Sequence, residues 1–288
     1  MRETEKNKIS QSTLYLVATP IGNLSDMSER AIKTLSEVDF IAAEDTRNSL
    51  RLLNYFGISK PLVSYYEHNK RERGQEIIER LLGGESCALI TDAGTPAISD
   101  PGEDLVRLCA ENGITVTSIP GACAVVNALA LSALSTTRFV FEGFLPVPKK
   151  QRRERLCELV SEQRTFILYE APHKLRTTLL DLSEALGEDR KISICRELTK
   201  LNEEVLRTTV GKACRLYETR EPRGEYVLVI EGKKPSQSAE DSEISVDMLR
   251  KKVDELCADG MSRNAAIKKV AESHGMTRNV LYGLLIEK

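Results

Sequence analysis

Several ionisable side chains follow short apolar runs, at points where a predicted strand ends and a loop begins. Glu197 lies between Arg196 and a nearby cation, Lys200, in the segment Cys-Arg-Glu-Leu-Thr-Lys. Glu170 follows the run Thr-Phe-Ile-Leu-Tyr and precedes a segment with helical character. Carboxylates can act as general bases, and cations can stabilise a developing negative charge, so this set could carry acid–base chemistry. A surface ion pair between Arg196 and Glu197, which would contribute little to stability, is the competing interpretation.

A second charged segment, Glu44-Asp45-Thr46-Arg47, ends another predicted strand. Asp45 is a further candidate base, with capping of the following helix as the structural alternative. Asp100 is assigned to structure rather than catalysis, because Asp-Pro-Gly-Glu at residues 100–103 has the form of a capping box with proline at the first helical position.

Loops of small residues follow three apolar runs. The longest is Thr-Asp-Ala-Gly-Thr-Pro-Ala-Ile-Ser-Asp-Pro-Gly at residues 91–102, and shorter loops occupy residues 19–23 and 120–122. Glycine and other small residues leave backbone amides open to a ligand, and ligands of open α/β sheets bind at the ends of strands. These loops therefore predict a cofactor site, although tight helix packing also requires small residues.

The composition limits the class of protein. The 288 residues are 41% hydrophobic and 29% charged with a net charge of −2, which indicates a globular chain rather than a broadly basic nucleic-acid binder. Its N-terminus has no signal-peptide pattern and no apolar run could span a bilayer, so we expect a cytoplasmic protein without membrane contact. Seven unpatterned cysteines agree with a reducing compartment, and three separated histidines predict no metal site.

Strand and helix patterns alternate along most of the chain, which predicts an α/β fold built from two α/β domains and a small helical module. The expected divisions are a flexible N-terminus at 1–13, an N-terminal α/β domain at 14–143, a C-terminal α/β domain at 144–232, a linker at 233–243 and a helix-turn-helix-like module at 244–288. In the module we predict helices at Val246–Ala258, at Arg263–Ser273 after Ser262, and at Arg278–Ile286 after Thr277.

Nucleotide-binding fingerprints are absent from the sequence. The first strand is not followed by G-x-G-x-x-G, and no P-loop or G-x-S-x-G motif occurs. Dehydrogenases, P-loop nucleoside triphosphatases, common Rossmann-type methyltransferases and α/β hydrolases are therefore disfavoured.

Eight motifs occur in order between residues 14 and 232: VATPIGNLSD, AAEDTR, TDAGTPAISDPG, IPGACAV, FEGFLP, YEAPHK, CRELTK and GEYVLVIEG. Together they closely resemble the family of bacterial 16S ribosomal RNA cytidine-2′-O-methyltransferases, within the tetrapyrrole-methylase-like, or class III, methyltransferases. The resemblance implies S-adenosylmethionine bound between two α/β domains, a homodimer, and ribose methylation of a cytidine in the decoding centre of the small ribosomal subunit. The last residues resemble the family's C-terminal helical extension.

On this basis we predict the site residues. The candidate catalytic residues are Glu197, Arg196, Lys200 and Glu170, with Glu197 favoured as the base. The predicted cofactor-binding residues are Pro20, Gly22, Asn23, Asp92, Ala93, Gly94, Thr95, Pro96, Ile98, Pro120, Gly121, Ala122 and Tyr226.

A basic run, Lys-Lys-Gln-Arg-Arg-Glu-Arg at residues 149–155, follows the expected domain boundary. A solvated helix face is the ordinary explanation of this basic run, and contact with an RNA backbone is the more specific alternative. The predicted RNA-binding residues are Arg47, Lys149, Lys150, Arg152 and Arg153. Two alternatives stay open: a methyltransferase of the same fold acting on a tetrapyrrole or a protein side chain, and a non-catalytic module that binds RNA or ribosomes.

Overall fold

The computed structural model describes residues 8–234, 246–273, 281, 282 and 285. The chain divides into two compact units, residues 1–232 and 233–288. The larger unit contains two five-stranded sheets. In the described ranges, no helix is long and apolar enough to cross a membrane.

The first sheet is parallel throughout and has the strand order β3-β2-β4-β1-β5. Its strands are β1 (Thr13–Val17), β2 (Phe40–Ala43), β3 (Leu62–Ser64), β4 (Cys87–Ile90) and β5 (Thr115–Ile119). The helices that connect or follow them are α1 (Glu29–Glu37), α2 (Thr46–Tyr55), α3 (Lys70–Leu82), α4 (Gly102–Glu111) and α5 (Ala124–Leu131). Every residue of β2 and β4 is buried, as expected of central strands with helices on both faces.

Alternating side chains divide this core between the two faces of the sheet. Tyr15 and Val17 pack on the same face as α1 and α2, while Leu14 packs with α3 and α4 on the other. A short 3-10 helix, Leu24–Asp26, precedes α1. The sequence pattern Asp-x-x-Glu at residues 26–29 predicts Asp26 as the cap of α1, but Asp26 lies within this short helix. Ser28 caps α1 instead, and its hydroxyl accepts a hydrogen bond from the Ala31 N–H at 3.1 Å.

The second sheet is mixed and has the order β6-β7-β10-β8-β9. Its strands are β6 (Phe139–Phe144), β7 (Thr165–Glu170), β8 (Lys191–Arg196), β9 (Glu204–Thr209) and β10 (Tyr226–Ile230). β6 and β7 are parallel, and the remaining neighbours are antiparallel. Its helices are α6 (Lys149–Val160), α7 (Pro172–Leu186) and α8 (Val210–Thr219), which cover one face.

The other face of the second sheet is covered by α5, which follows the last strand of the first sheet. Ala128 and Leu129 of α5 pack against Ile167, Val227 and Val229. The second sheet also begins earlier than expected: the boundary placed at 143/144 passes through β6, because Phe139–Phe144 pairs with β7.

The elements that were not predicted include β3, β9 and α8. β3 has only three residues, too few for a periodic pattern. β9 is interrupted by charged side chains, because it lies at the edge of its sheet and is only partly buried.

The second unit contains α9 (Val246–Ala258) and α10 (Arg263–Ser273), which coincide with the first two helices predicted for the module. Val253, Ile267 and Val270 are among the buried side chains that join them. The Ser262 hydroxyl accepts a hydrogen bond from the Ala265 N–H at 3.4 Å. The predicted turn at His274–Met276 lies outside the described residues, as does most of the third predicted helix.

Candidate active site

The loops that follow β1, β4 and β5 are tied together by hydrogen bonds at one edge of the first sheet. Thr19 and Gly94 exchange two backbone hydrogen bonds, of 2.9 and 3.1 Å. The Thr19 hydroxyl donates to the Thr91 carbonyl at 3.1 Å, and the Thr95 hydroxyl donates to the Ala122 carbonyl at 3.0 Å. The three predicted loops therefore form one connected surface.

Two glycines make this close approach of backbones feasible. Gly94 has a φ of +87°, and a Cβ on it would lie 3.4 Å from Ile21 Cγ2. A Cβ on Gly121 would lie 2.8 Å from the Ala18 Cβ, so any side chain there would push the β5 loop away from β1. Gly121 therefore influences the shape of the loop surface by allowing the loop after β5 to pack closely against the end of β1.

A cleft of about 410 Å³ lies between these loops and the second sheet. The first half of the chain contributes Ile21, Ala93, Gly94, Thr95, Ile98, Cys123 and Ala124. The second sheet and the residues that flank its strands contribute Phe144, Tyr169, Glu170, Ala171, Pro172, Cys195, Leu198, Glu225, Tyr226 and Val227. The volume falls within the range of small-molecule sites, and most of the wall is apolar or main chain.

The second-sheet wall includes aromatic residues that sequence reasoning missed. The ring of Tyr169 lies 4.9 Å from that of Phe141 and 5.6 Å from that of Phe144, both in edge-to-face geometry. Burial raises the pKa of Tyr169 to about 12, so the phenol is neutral and can donate a hydrogen bond. The available signal was the position of Tyr169 near the end of a buried strand, next to Glu170.

A smaller, more polar space of about 320 Å³ adjoins the cleft; we call it the polar pocket. It is lined by Pro20, Ile21, Gly22, Leu24, Asn48, Ser49, Leu52, Thr91, Asp92, Ala93, Lys200 and Glu225. Ile21, Ala93 and Glu225 line both spaces. The residues predicted to bind the cofactor are therefore divided between the two spaces. Pro20, Gly22 and Asp92 line the polar pocket, and Ala93 lines both spaces. The residues that line only the cleft are Gly94, Thr95, Ile98 and Tyr226.

Other predicted cofactor residues support the loops without lining either space. Asn23 caps the short 3-10 helix, and its side chain accepts from the Ser25 N–H at 3.1 Å. Ala122 accepts the hydrogen bond from Thr95. Pro96 and Pro120 belong to the loops but do not line either space.

Lys200 is held at the polar pocket by two carboxylates. Its Nζ lies 2.9 Å from Glu197 Oε1 and 2.8 Å from Glu225 Oε2. Its aliphatic chain covers Gly22, where a Cβ would collide with it. Burial opposes the charge, but the hydrogen bonds to both carboxylates outweigh it and raise the pKa of Lys200, which is therefore a cation at neutral pH.

Glu197 supports Lys200 and does not line either space. Its Oε1 also accepts the Glu225 N–H at 3.0 Å. Burial works against ionisation, but the hydrogen bonds from Lys200 and Glu225 lower the pKa of Glu197. Glu197 and Thr199 both have left-handed backbones, with φ of +51° and +68°, so the turn that presents Lys200 is sterically unusual. A carboxylate with a lowered pKa is a weak base, which disfavours the role expected for Glu197.

Arg196 is likewise engaged in structure. Its Nε donates to the Arg223 carbonyl at 2.7 Å, and its guanidinium lies 3.7 Å from Glu204. It lines neither the cleft nor the polar pocket.

Glu170 lines the cleft, but both of its oxygens are engaged. Oε1 accepts the Ala171 N–H at 2.9 Å, and Oε2 accepts the hydroxyl of Thr178, which is fully buried. Behind them, Arg152 donates to Thr178 Oγ1 at 2.8 Å and to Asp181 at 2.6 Å. Glu170 therefore fixes the start of α7 at the cleft wall.

These contacts of Arg152 distinguish it from the other residues that are predicted to bind RNA. The Arg152 side chain is only 14% exposed, so it faces the protein, unlike the exposed Lys149, Lys150 and Arg153. Arg47 is exposed and pairs with Asp45 at 2.9 Å.

Asp45 is the N-cap of α2, as the structural alternative held, and its carboxylate accepts the Arg47 N–H at 2.8 Å. Hydrogen bonds from the Arg47 side chain and backbone lower the pKa of Asp45 to about 2. Both features disfavour Asp45 as a base.

The fold and the cleft define a class of protein. A sequence model of the family Tetrapyrrole (Corrin/Porphyrin) Methylases matches residues 13–214. Solved structures share the fold: diphthine synthase superposes with a TM-score of 0.58 at 15% identity over 77% of this chain and 90% of that chain. A cobalt precorrin-4 methyltransferase superposes with a TM-score of 0.55 at 18% identity, over 76% and 95%. The predicted fold class is thereby confirmed.

Sequence relatives narrow the class further. The ribosomal RNA small subunit methyltransferase I of Synechocystis is 47% identical over 95% of this chain and 97% of its own length. That of Haemophilus influenzae is 45% identical over 93% and 94%. The chain belongs to the family of ribosomal RNA small subunit methyltransferase I. The predicted family, the predicted enzyme class and the predicted methyl donor, S-adenosylmethionine, are confirmed.

Proposed function

We propose that this enzyme transfers the methyl group of S-adenosylmethionine to the 2′-hydroxyl of a cytidine in the decoding centre of 16S ribosomal RNA, within the small ribosomal subunit. The observation that carries the proposal is the identity of 47% over nearly the whole chain with a relative named for methylation of small-subunit ribosomal RNA. That name supports ribosomal RNA as the methyl acceptor. The eight motifs of the sequence support the finer assignment to a cytidine ribose.

The cleft has the features that the methyl donor requires. Gly94 and Thr95 present main-chain atoms, and the ring of Tyr169 provides flat apolar surface for an aromatic base. The absence of a Cβ at Gly94 leaves the backbone accessible beside Ile21. When bound, the donor supplies an electrophilic methyl group on a positively charged sulfur.

Residues of the polar pocket would act on the ribose hydroxyl. Lys200 is cationic and rigidly held, so it can stabilise negative charge on the attacking oxygen. Glu197 then acts as the positioning residue of Lys200. As the new O–CH3 bond forms and the S–CH3 bond breaks, the hydroxyl proton leaves to water or to the carboxylates that line the pocket, Asp92 and Glu225.

Contacts with the larger substrate would involve the exposed start of α6. Lys149, Lys150 and Arg153 point away from the core and can approach phosphates. Arg47 lies exposed at the start of α2, the helix that contributes Asn48 and Ser49 to the polar pocket. Arg152 has a structural role in this proposal.

We also propose that the two sheets correspond to two α/β domains and that the enzyme is a cytoplasmic homodimer. Val126 and Leu131 of α5 are 57% and 38% exposed, and such apolar side chains favour contact with a second copy. All seven cysteines lie in the described ranges and carry free thiols, as expected in a reducing compartment. Light scattering of the purified chain tests the dimer, and a monomeric mass at micromolar concentration contradicts it.

The central experiment is a methylation assay on defined acceptors. The purified chain is incubated with S-adenosylmethionine carrying a labelled methyl group and with small subunits from a strain that lacks this enzyme. We expect label in 16S ribosomal RNA, located by mapping 2′-O-methyl groups. Porphyrin precursors and naked RNA are the comparison acceptors. Label on a porphyrin, or none on ribosomal RNA, contradicts the proposal.

A further inference from the structure

Ser49 is a buried side chain whose hydrogen-bonding capacity is unused. It is the fourth residue of α2, is 4% exposed and lines the polar pocket. Its hydroxyl has no hydrogen-bond partner among the residues that the structure describes. Its backbone N–H is satisfied by the Asp45 carbonyl at 3.0 Å, so only the side chain is unpaired.

An unpaired buried hydroxyl is uncommon and costly. Most buried polar atoms have a partner, because leaving water without replacing the hydrogen bond is unfavourable. A serine inside a helix that does not point to water can satisfy its hydroxyl by donating to a carbonyl in the preceding turn. Ser36 of α1 does so, donating to the Ile32 carbonyl at 2.8 Å. Ser49 makes no such bond in the structure, and it lies at the wall of a space large enough for a ligand.

The other polar groups of the pocket form a varied set of donors and acceptors. Lys200 offers a charged donor, and Glu225 and Asp92 offer carboxylate oxygens. Asn48 holds Asp92 in place through a 3.1 Å hydrogen bond from its side-chain amide. Such a mixture suits a ligand with both hydroxyl and amide or amine groups, rather than a simple anion.

The position of the pocket limits the ligand further. It shares Ile21, Ala93 and Glu225 with the cleft, so a group held in it lies next to the cofactor. Its volume of about 320 Å³ is at the lower end for small-molecule sites, which suits one nucleoside rather than a stacked pair. Enzymes that do chemistry on a base take that nucleotide out of the stack into a pocket of this kind, which gives a precedent for a single unstacked nucleoside here.

We infer that the polar pocket receives the target nucleoside of the RNA, unstacked from its neighbours, and that the Ser49 hydroxyl hydrogen-bonds to it. This inference rests on the proposed function, since it assumes an RNA acceptor. The unpaired hydroxyl is then a binding group whose partner arrives with the substrate.

The test uses Ser49→Ala in the full chain, with Ser36→Ala as the matched control. Alanine favours helix, and no protein partner loses a bond, so the melting temperature of Ser49→Ala should stay equal or rise. The KM for small subunits should rise about 10-fold, as expected for the loss of one hydrogen bond, while calorimetry with S-adenosylhomocysteine gives an unchanged Kd. Ser36→Ala should leave KM unchanged.

The outcomes separate this inference from the proposed function. Absence of methyl transfer to ribosomal RNA by the unaltered protein refutes the proposed function, and the inference with it. If the unaltered protein is active and Ser49→Ala keeps the same KM and kcat, the inference alone is overturned. A loss of S-adenosylhomocysteine affinity in Ser49→Ala also overturns it, because Ser49 would then serve the cofactor.

Discussion

The cleft and the polar pocket adjoin each other but are built from different kinds of atoms. The cleft is walled by main chain, aromatic rings and aliphatic side chains. The polar pocket gathers Asn48, Ser49, Asp92, Lys200 and Glu225 in a smaller volume. Shape and apolar surface therefore dominate one space, and charge and hydrogen bonding dominate the other. Binding of the donor and activation of the acceptor should therefore be separable by mutation.

The largest expected effect is a loss of cofactor affinity when the wall of the cleft is disturbed. Gly94→Val places a β-branched side chain at a φ of +87° beside Ile21, so the β4 loop must move. We expect calorimetry to show no binding of S-adenosylhomocysteine, a loss of at least ~100-fold for a displaced wall. Gly84→Val is the control, because Gly84 has a φ of +100° and open space around it. Equal binding in both variants would contradict the place of Gly94 in the cofactor site.

Substitution of Lys200 tests the role of the polar pocket in catalysis. Lys200→Met keeps the length of the side chain but removes the cation, so kcat should fall about 100-fold, as when one oxyanion-stabilising donor is lost. The Kd for S-adenosylhomocysteine should stay near that of the unaltered protein, since Lys200 does not line the cleft. A parallel loss of cofactor affinity would show that the two spaces are not separable.

The buried support of the cleft wall gives a smaller effect, on stability. Thr178→Val removes the hydroxyl that joins Arg152 to Glu170, and leaves two charged groups with fewer partners. We expect a loss of roughly 1–3 kcal/mol in the free energy of unfolding, measured with urea. Thr177→Val, one position earlier and exposed, should change it little. Equal stability of the two variants would refute the supporting role of Thr178.

The smallest expected effect is a pH-dependent change in the free energy of unfolding when Glu197 is substituted. Because the pKa of Glu197 is lowered in the folded state, its ionised form contributes stability that is present above the ordinary value of 4.5 and is lost as the pH falls through the folded value. Unfolding of Glu197→Gln and of the unaltered protein should therefore differ by about 1 kcal/mol at pH 7 and converge in acid. The exposed Glu184→Gln is the control.

Turnover of the same variant sharpens the distinction between Glu197 and Lys200. If Glu197 only positions Lys200, kcat should fall less than in Lys200→Met. A fall of roughly 100-fold or more would restore Glu197 as the general base.

The sequence predicted the parts of the site that depend on backbone conformation. The loops around Gly94 and Gly121 carry a local signal, because few residue types tolerate such turns and close approaches. The order of strands and helices was likewise predictable from apolar periodicity. β9 and α8 were not predicted, because β9 is a partly exposed edge strand and α8 mixes charged residues with its buried ones.

The side chains that complete the site depend on tertiary structure and had no such signal. Tyr169 reaches the cleft only because the second sheet packs on α5. Ser49 looks like an ordinary helical serine until the polar pocket is seen beside it. Glu197 and Lys200 were predicted together as catalytic, but the different roles that we propose for them rest on hydrogen bonds to Glu225, which is distant in sequence.

The location of α5 restricts how this enzyme can be divided. A fragment that begins at residue 144 would lose all of β6 except Phe144, together with the helix that shields Ile167, Val227 and Val229. Such a fragment would present a bare apolar sheet to water and should aggregate when produced alone. Exchange of halves between relatives would therefore require α5 and β6 to be inherited with the downstream portion, which makes the stretch before α5 the natural point for building chimaeras.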